Sequence, residues 1–266
     1  MAKKSKVILS YSPQGGTGKS TMAINAALIF ATKGFKTLLV DMSLYGSVIS
    51  TLKIRQKSGI GLSAVINALE LSTSESEGAN ENAVETTKSA ITKGVGTSGL
   101  DVLVSANPIK MEGLNETSTI QIIEVLRQLD YDLVIIDTSP ELSIKNLVLI
   151  DKVDYILLTA IQDVSCGWKM LMFKEIAQRF SLPSEKFGVI INRVSKFNGF
   201  NNKEFEQELG YRILSEFPEY SKEIQAAVNK GELVTSKYNK KVYASFEEMA
   251  KSIHDELGRL FKKAKG

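Results

Sequence analysis

The amino-acid sequence predicts an α/β fold of three layers, with helices on both faces of a mostly parallel central sheet. Apolar segments of strand length alternate with longer segments of helical periodicity, and this alternation is typical of βαβ units. Several strand segments are almost wholly apolar and β-branched, as expected for strands buried on both faces. A glycine-rich loop between the first strand and the first helix adds a ligand-binding signal to this pattern.

The predicted elements follow one another in a regular order. We expect strands at residues 6–12, 36–41, 100–105, 132–137, 154–161, 187–192 and 212–217. We expect helices at residues 20–32, 62–71, 118–129, 165–180, 203–209, 221–228 and 245–262. Gly34 stands where a left-handed residue commonly ends a helix, just after the first predicted helix.

Length and composition favour a single domain over residues 1–266. Apolar residues make up 43% and charged residues 24% of the chain, as in ordinary globular proteins. Residues 72–97 interrupt the pattern, because they are polar, poor in aromatic side chains and contain four glutamates. We expect this segment to be a flexible insertion, a mobile loop or short surface helix before the third strand, with a partner-binding arm as the alternative.

Several classes of protein are disfavoured by composition. No apolar run reaches the roughly 18 residues of a membrane span, and the N-terminal apolar run is too short for the core of a signal peptide. Cys166 is the only cysteine, which excludes an intramolecular disulfide or a cysteine metal cage within one chain. The net charge of +3 is too small to indicate a nucleic-acid partner. We therefore expect a cytoplasmic protein.

The loop after the first strand has the composition of a phosphate-binding loop. Glycines let the backbone curl so that successive N–H groups point inward at a phosphate, and the following helix adds its positive end. Lys19 supplies charge to the β- and γ-phosphates, and the Ser20 hydroxyl is suited to Mg²⁺. The pattern G-x-x-x-x-G-K-[ST] is missed only at its first position, Pro13; the alternative is a glycine-rich turn with an incidental lysine. The predicted ATP-binding residues are Gly15, Gly16, Thr17, Gly18, Lys19, Ser20 and Thr21.

Asp137 closes an apolar strand at the carboxyl edge, where α/β sheets bind their ligands. A carboxylate there can hold the water shell of Mg²⁺ opposite Ser20. The sequence therefore predicts Mg-ATP as cofactor and a P-loop NTPase fold; the alternative for Asp137 is a helix cap or a turn.

Gly15-Gly-Thr-Gly-Lys-Ser-Thr21 closely resembles the deviant Walker A loop of the ParA/MinD family of ATPases. The similarity continues in residues 36–41, which resemble the strand leading to switch I, and in 131–140, which resemble the Walker B strand and switch II. The resemblance implies that Asn192 reads adenine, that Pro218 lies in the late nucleotide-binding loop, and that Asp163 lies near the nucleotide of an ATP-dependent homodimer. The alternatives are a turn residue after a strand for Asn192 and a surface carboxylate for Asp163. Residues 41–46, 61–62 and 100–103 lean toward the CpaE/TadZ-like branch, which is associated with pilus assembly.

Two positions depart from the family pattern. The signature lysine, which in relatives reaches the partner's phosphates, is Gln14 here, and the second switch I acid is Ser43. Gln14 cannot neutralise developing charge, and such cationic fingers supply about 10³–10⁵ in rate. With Lys19, Gln14 and Asp41 as the catalytic candidates, we expect tight binding of Mg-ATP and slow or partner-dependent hydrolysis.

Two surface segments could bind a protein partner, DNA or a membrane. The helix at 245–262 has one apolar face and a basic end, which predicts either a core helix or a membrane-binding tail. The basic, aromatic segment 237–243 predicts a solvated loop or a DNA footprint.

The sequence favours a switched ATPase that organises a pilus, another envelope machine at the membrane or cell pole, or a DNA cargo. The first alternative is a non-hydrolysing scaffold stabilised by ATP. A bacterial tyrosine kinase is disfavoured because no tyrosine cluster ends the chain, and an iron–sulfur carrier because there is a single cysteine.

Overall fold

A single eight-stranded sheet forms the centre of the described part of the chain. The structure is a computed structural model that describes residues 5–54, 61–71, 78–96, 98–196, 199–230 and 239–263. The strands β1 to β8, in chain order, are Lys6–Tyr11, Thr37–Asp41, Thr92–Val95, Leu100–Leu103, Leu133–Asp137, Tyr155–Ile161, Phe187–Val194 and Arg212–Pro218. Their order across the sheet is β3-β4-β2-β5-β1-β6-β7-β8. The β3–β4 pair is antiparallel and the other neighbouring pairs are parallel.

Helices connect the parallel strands and cover both faces of the sheet. The helices α1 to α11 are Lys19–Thr32, Ser47–Thr51, Leu62–Leu71, Gly78–Ala90, Pro108–Glu112, Glu116–Gln128, Ile144–Lys152, Val164–Arg179, Asn202–Leu209, Ser221–Lys230 and Lys240–Lys263. The predicted α/β fold with a mostly parallel central sheet between helices is confirmed.

The strand side chains alternate between two apolar cores. In β1, Val7 and Leu9 join the core beneath α6, α7 and α8, whereas Ile8 joins the core beneath α1 and α11. Strands buried on both faces therefore carry apolar residues at consecutive positions, which explains the uninterrupted hydrophobic runs in the sequence.

Residues 78–96 differ from the flexible insertion expected at 72–97. Helix α4 turns Ala83 and Thr87, both fully buried, toward the core and packs on α3 and α6. Strand β3 then pairs with β4, and the ion pair of Lys93 with Asp101 at 2.8 Å holds this edge. The buried face of α4 consists of small side chains and Val84, so the hydrophobic periodicity was too weak to predict that the expected loop or short surface helix packs on the core. Residues 72–77 and 97 lie outside the described residues.

Three further helices, α2, α5 and α7, were not predicted. Helices α2 and α5 have only five residues each. Helix α7 begins after Ser143, whose hydroxyl accepts a hydrogen bond from the backbone N–H of Asn146 at 3.3 Å. Its buried face includes the polar residues Lys145 and Asn146, which interrupt the apolar pattern expected for a core helix.

The C-terminal helix α11 is a core helix, as one of the two interpretations expected. Phe246, Met249, Ile253 and Leu257 are buried against α1 and β8, so this face is not available to a membrane. Glu256 on the same helix pairs with Arg212 of β8 at 2.8 Å. Within the described ranges, no helix is both long and apolar enough to cross a bilayer. Residues 231–238, which include part of the predicted basic segment, lie outside those ranges.

Candidate nucleotide-binding site

The glycine-rich loop, residues 12–18, connects the carboxyl end of β1 to α1. Gly16 and Gly18 have φ angles of 78° and 89°, in the left-handed region that favours glycine. A Cβ atom at Gly18 would also collide with the side-chain amide of Asn192. Helix α1 begins at Lys19, directly after the loop. The positive end of the helix and the lysine side chain therefore lie at the same place, which favours the binding of phosphate.

Lys19, the first residue of α1, and Asp137, the last residue of β5, form a buried ion pair. The ammonium of Lys19 lies 2.7 Å from Asp137 Oδ1, and the two side chains are 9% and 0% exposed. The same ammonium donates to the carbonyl of Thr138 and lies 3.4 Å from Ser20 Oγ. Because β1 and β5 are neighbours in the sheet, the structure brings the predicted phosphate-binding lysine and the predicted metal-binding carboxylate together.

A third side chain, that of Ser47, joins Ser20 and Asp137. Its hydroxyl lies 3.1 Å from Asp137 Oδ2 and 3.3 Å from Ser20 Oγ. Sequence reasoning missed Ser47; the signal available was its position directly after Gly46, at the end of the switch I resemblance. Hydroxyl and carboxylate oxygens are ligands that suit Mg²⁺, so this group of side chains fits a magnesium site.

The loop also contains a buried polar atom that fits a bound ligand. Thr17 is 1% exposed, and its Oγ1 finds no hydrogen-bond partner among the described residues. Buried polar atoms in proteins are nearly always paired. A cavity of about 680 Å³ opens over the loop and has Gly15, Lys19, Ser47 and Pro140 among its lining residues. That volume lies within the range of small-molecule sites.

Asp41, a predicted catalytic residue, holds the segment that follows β2. Its Oδ1 accepts hydrogen bonds from the N–H and hydroxyl of Ser43, at 3.0 and 2.5 Å, and its Oδ2 accepts from the N–H of Val48 at 2.9 Å. Burial, and secondarily the charge of Asp137, raises the pKa of Asp41 above its ordinary value, while these hydrogen bonds oppose the shift. Asp41 therefore determines the shape of residues 43–48, and its catalytic role stays a prediction.

Lys145, a buried lysine that sequence reasoning missed, connects α7 to the same segment. It is 3% exposed, and its ammonium donates to the carbonyl of Met42 at 2.8 Å. Burial lowers the pKa of Lys145 below its ordinary value. The segments after β2 and after β5 are thus bonded to each other beside the phosphate loop.

Gln14 is bonded within its own chain. Its Nε2 donates to Asp163 Oδ2 at 3.3 Å, and Asp163 Oδ1 accepts from the N–H of Cys166 at 2.8 Å. Asp163 is thus the N-cap of α8 as well as the partner of Gln14. Burial raises the pKa of the Cys166 thiol to about 11, so this cysteine is not a reactive one.

Asn192 supports the loop from the opposite side. Its Nδ2 donates to the carbonyl of Thr17 at 2.7 Å, and its Oδ1 accepts from the N–H of Arg193 at 2.9 Å. It lines a second cavity of about 260 Å³ between α1 and α10, together with Thr21 and Tyr220. Reading of adenine by Asn192 stays a prediction.

Pro218 is the last residue of β8 and pairs with Val194. The lining of the second cavity near this loop comes from Tyr220 and Ser221 rather than from Pro218 itself. The role of Pro218 in nucleotide binding therefore stays a prediction too.

Comparison with known proteins agrees with this geometry. Residues 5–169, more than half of the chain, match the family described as the AAA domain. None of the curated proteins matches the chain. Similar solved structures include a putative plasmid partition protein from Borrelia burgdorferi bound to AMPPNP, with 21% identity, a TM-score of 0.74 and coverage of 95% of this chain and 100% of that chain.

Two other solved structures have the same architecture. The septum site-determining protein MinD of Pyrococcus horikoshii, complexed with Mg-ADP, has 19% identity and a TM-score of 0.75, covering 94% of this chain and 96% of that one. A ParA family ATPase from Chlorobium tepidum has 17% identity and a TM-score of 0.75, covering 94% and 99%. At these identities the likeness shows the fold. The chain therefore belongs to the AAA domain family, and its fold is that of the ParA and MinD ATPases.

Proposed function

We propose that the chain binds Mg-ATP in the glycine-rich loop and works as a nucleotide-dependent switch. The observation that carries this proposal is the meeting of Lys19, Ser20 and Asp137 at the start of α1, beside a loop with two left-handed glycines. The AMPPNP and Mg-ADP complexes of proteins with this fold support the same ligand class.

Each side chain has a defined part in binding. Ser20 and Asp137 would hold the magnesium ion, which would supply positive charge to the phosphates. Lys19 would supply its ammonium to the β- and γ-phosphates, and the loop amides would donate to the phosphate oxygens. Asn192 and the cavity between α1 and α10 receive the base.

Hydrolysis is slow in this proposal, for two reasons. Gln14 carries no charge, and a missing cationic finger costs about 10³–10⁵ in rate, which corresponds to roughly 4–7 kcal/mol of transition-state stabilisation. Ser43 is no acid, and its hydroxyl donates to Asp41 at 2.5 Å rather than standing free to activate water.

The biological output that we propose is ATP-dependent homodimerisation that positions a larger assembly. A pilus or other envelope machine is our first choice, on the CpaE/TadZ-like residues; DNA partition is the second, because a putative plasmid partition protein shares the fold. In either case a protein partner would bind the dimer. A membrane surface or cell pole is a further candidate for the place where the dimer acts. A non-hydrolysing scaffold is the alternative.

Isothermal titration calorimetry of the whole chain with ATP and Mg²⁺ tests the binding step. We expect saturable binding that Lys19→Met abolishes, whereas the matched surface change Lys33→Met, which removes an exposed lysine paired with Glu247, leaves it intact. Absence of binding heat for well-folded wild-type protein would refute the proposal.

Light scattering and phosphate release then separate the two functions. Dimerisation with ATP and measurable turnover would support a switch. An ATP-dependent dimer with no turnover, with or without candidate partners, would support the scaffold.

A further inference from the structure

The hydroxyl of Ser47 contacts both side chains that we assign to magnesium. It lies 3.1 Å from Asp137 Oδ2 and 3.3 Å from Ser20 Oγ. No other hydrogen bond of this hydroxyl is found within the ranges that the structure describes. The half-buried side chain lies at the edge of the cavity over the loop.

Local structure does not account for the position of this hydroxyl. Helix α2 begins at Ser47, but the contacts that shape the segment are made by other groups. Asp41 accepts from the N–H of Val48 at 2.9 Å, and the hydroxyls of Ser50 and Thr51 each donate to the carbonyl of Ser47 at 3.0 Å. The Ser47 hydroxyl is therefore free to serve the site rather than the helix.

Lys19 and Ser47 each bridge the same two side chains, through different oxygens of Asp137. The Lys19 ammonium contacts Asp137 Oδ1 and Ser20 Oγ, whereas Ser47 contacts Asp137 Oδ2 and Ser20 Oγ. A phosphate chain bound in the loop would compete with Asp137 for the ammonium. Ser47 is then the side chain that still connects the carboxylate to the Ser20 hydroxyl.

We propose that Ser47 is a positioning residue of the magnesium site, which fixes Asp137 and Ser20 and links the segment after β2 to the bound cation. The inference rests on the proposed Mg-ATP function. Groups that orient metal ligands through hydrogen bonds typically contribute about 10–100-fold to metal affinity or activity. Because Mg²⁺ requires near-ideal octahedral geometry, it is sensitive to the placement of these oxygens.

The test compares nucleotide affinity with and without magnesium. Binding of a fluorescent methylanthraniloyl-ATP to the whole chain is measured once in Mg²⁺ and once in excess EDTA, for wild type, Ser47→Ala, Ser47→Thr and the control Ser184→Ala. We expect Ser47→Ala to lose affinity by about tenfold in Mg²⁺ and to match wild type in EDTA. Ser47→Thr, which keeps the hydroxyl, should restore most of the loss. Ser184→Ala removes an exposed hydroxyl that lines neither cavity and should behave as wild type.

The EDTA measurement shows whether the loop of each variant is folded. The role of Ser47 would be overturned, while the proposed function stands, by either of two results. In the first, Ser47→Ala lowers nucleotide affinity equally in Mg²⁺ and in EDTA. In the second, magnesium raises the nucleotide affinity of Ser47→Ala as much as that of wild type. Failure of wild type to bind the nucleotide in Mg²⁺ would instead refute the proposed function, and this inference with it.

Discussion

The buried pair of Lys19 and Asp137 makes a quantitative prediction about stability. The two side chains are 9% and 0% exposed and their charged atoms lie 2.7 Å apart. Lys19→Met keeps the length and apolar stem of the side chain but removes its charge. Asp137 is then a buried carboxylate without its cation, and the carbonyl of Thr138 also loses a donor.

The expected cost follows from that burial. Removing one partner of a buried ion pair destabilises a protein by about 3–5 kcal/mol, because the remaining charge is left without compensation. Asp137→Asn in the same chain removes the uncompensated charge. The double variant should therefore be more stable than the sum of the single effects implies, by about 1–3 kcal/mol.

Urea unfolding of wild type, both single variants and the double variant, without nucleotide, measures this coupling. The control is Lys33→Met, in which a lysine 57% exposed and paired with Glu247 is lost; its unfolding midpoint should move little. Additive single effects, or a loss for Lys19→Met no larger than that of the control, would refute the reasoning that the pair is energetically coupled.

Three further predictions use other contacts. Glu256→Gln should destabilise the fold at neutral pH. The hydrogen bond from Arg259 lowers the pKa of Glu256 in the folded state below its ordinary value of 4.5. The stabilisation by the Glu256 carboxylate is therefore complete above pH 4.5 and is lost as the pH falls through the folded-state pKa. Unfolding midpoints of variant and wild type should therefore converge in acid, and a constant gap would contradict this. Gly18→Ala should lower the free energy of unfolding in urea by more than about 1 kcal/mol, since φ at this position is 89° and the added Cβ meets the Asn192 amide. A Gly18→Ala variant as stable as wild type would contradict this. Gln14→Lys should raise phosphate release by at least about tenfold, and no gain would remove our explanation of slow hydrolysis.

Strongly patterned elements were predictable from the sequence. Strand β5, a run of apolar β-branched residues closed by Asp137, and helix α3 were predicted nearly to the residue. The glycines, lysine and serine of the loop were also identifiable from the sequence. A tight phosphate loop needs left-handed backbone, which favours glycine, and Gly16 and Gly18 have φ angles of 78° and 89°. A lysine and a serine directly after the last glycine are the side chains that phosphate and Mg²⁺ binding needs. The core packing of α4 was missed because, apart from Val84, its buried positions are Ala83, Thr87 and Ala90, side chains too small to give a strong hydrophobic signal.

The sequence by itself determined the layered α/β fold, the phosphate loop and the position of Asp137 at the end of a strand. Local periodicity and backbone requirements are encoded over a few neighbouring residues, so they can be read without tertiary contacts. Only the tertiary structure decided that Lys19 contacts Asp137 and that Ser47 and Lys145 lie beside the site. These contacts join residues up to 118 positions apart, and the order of strands in the sheet, which local sequence does not encode, brings them together.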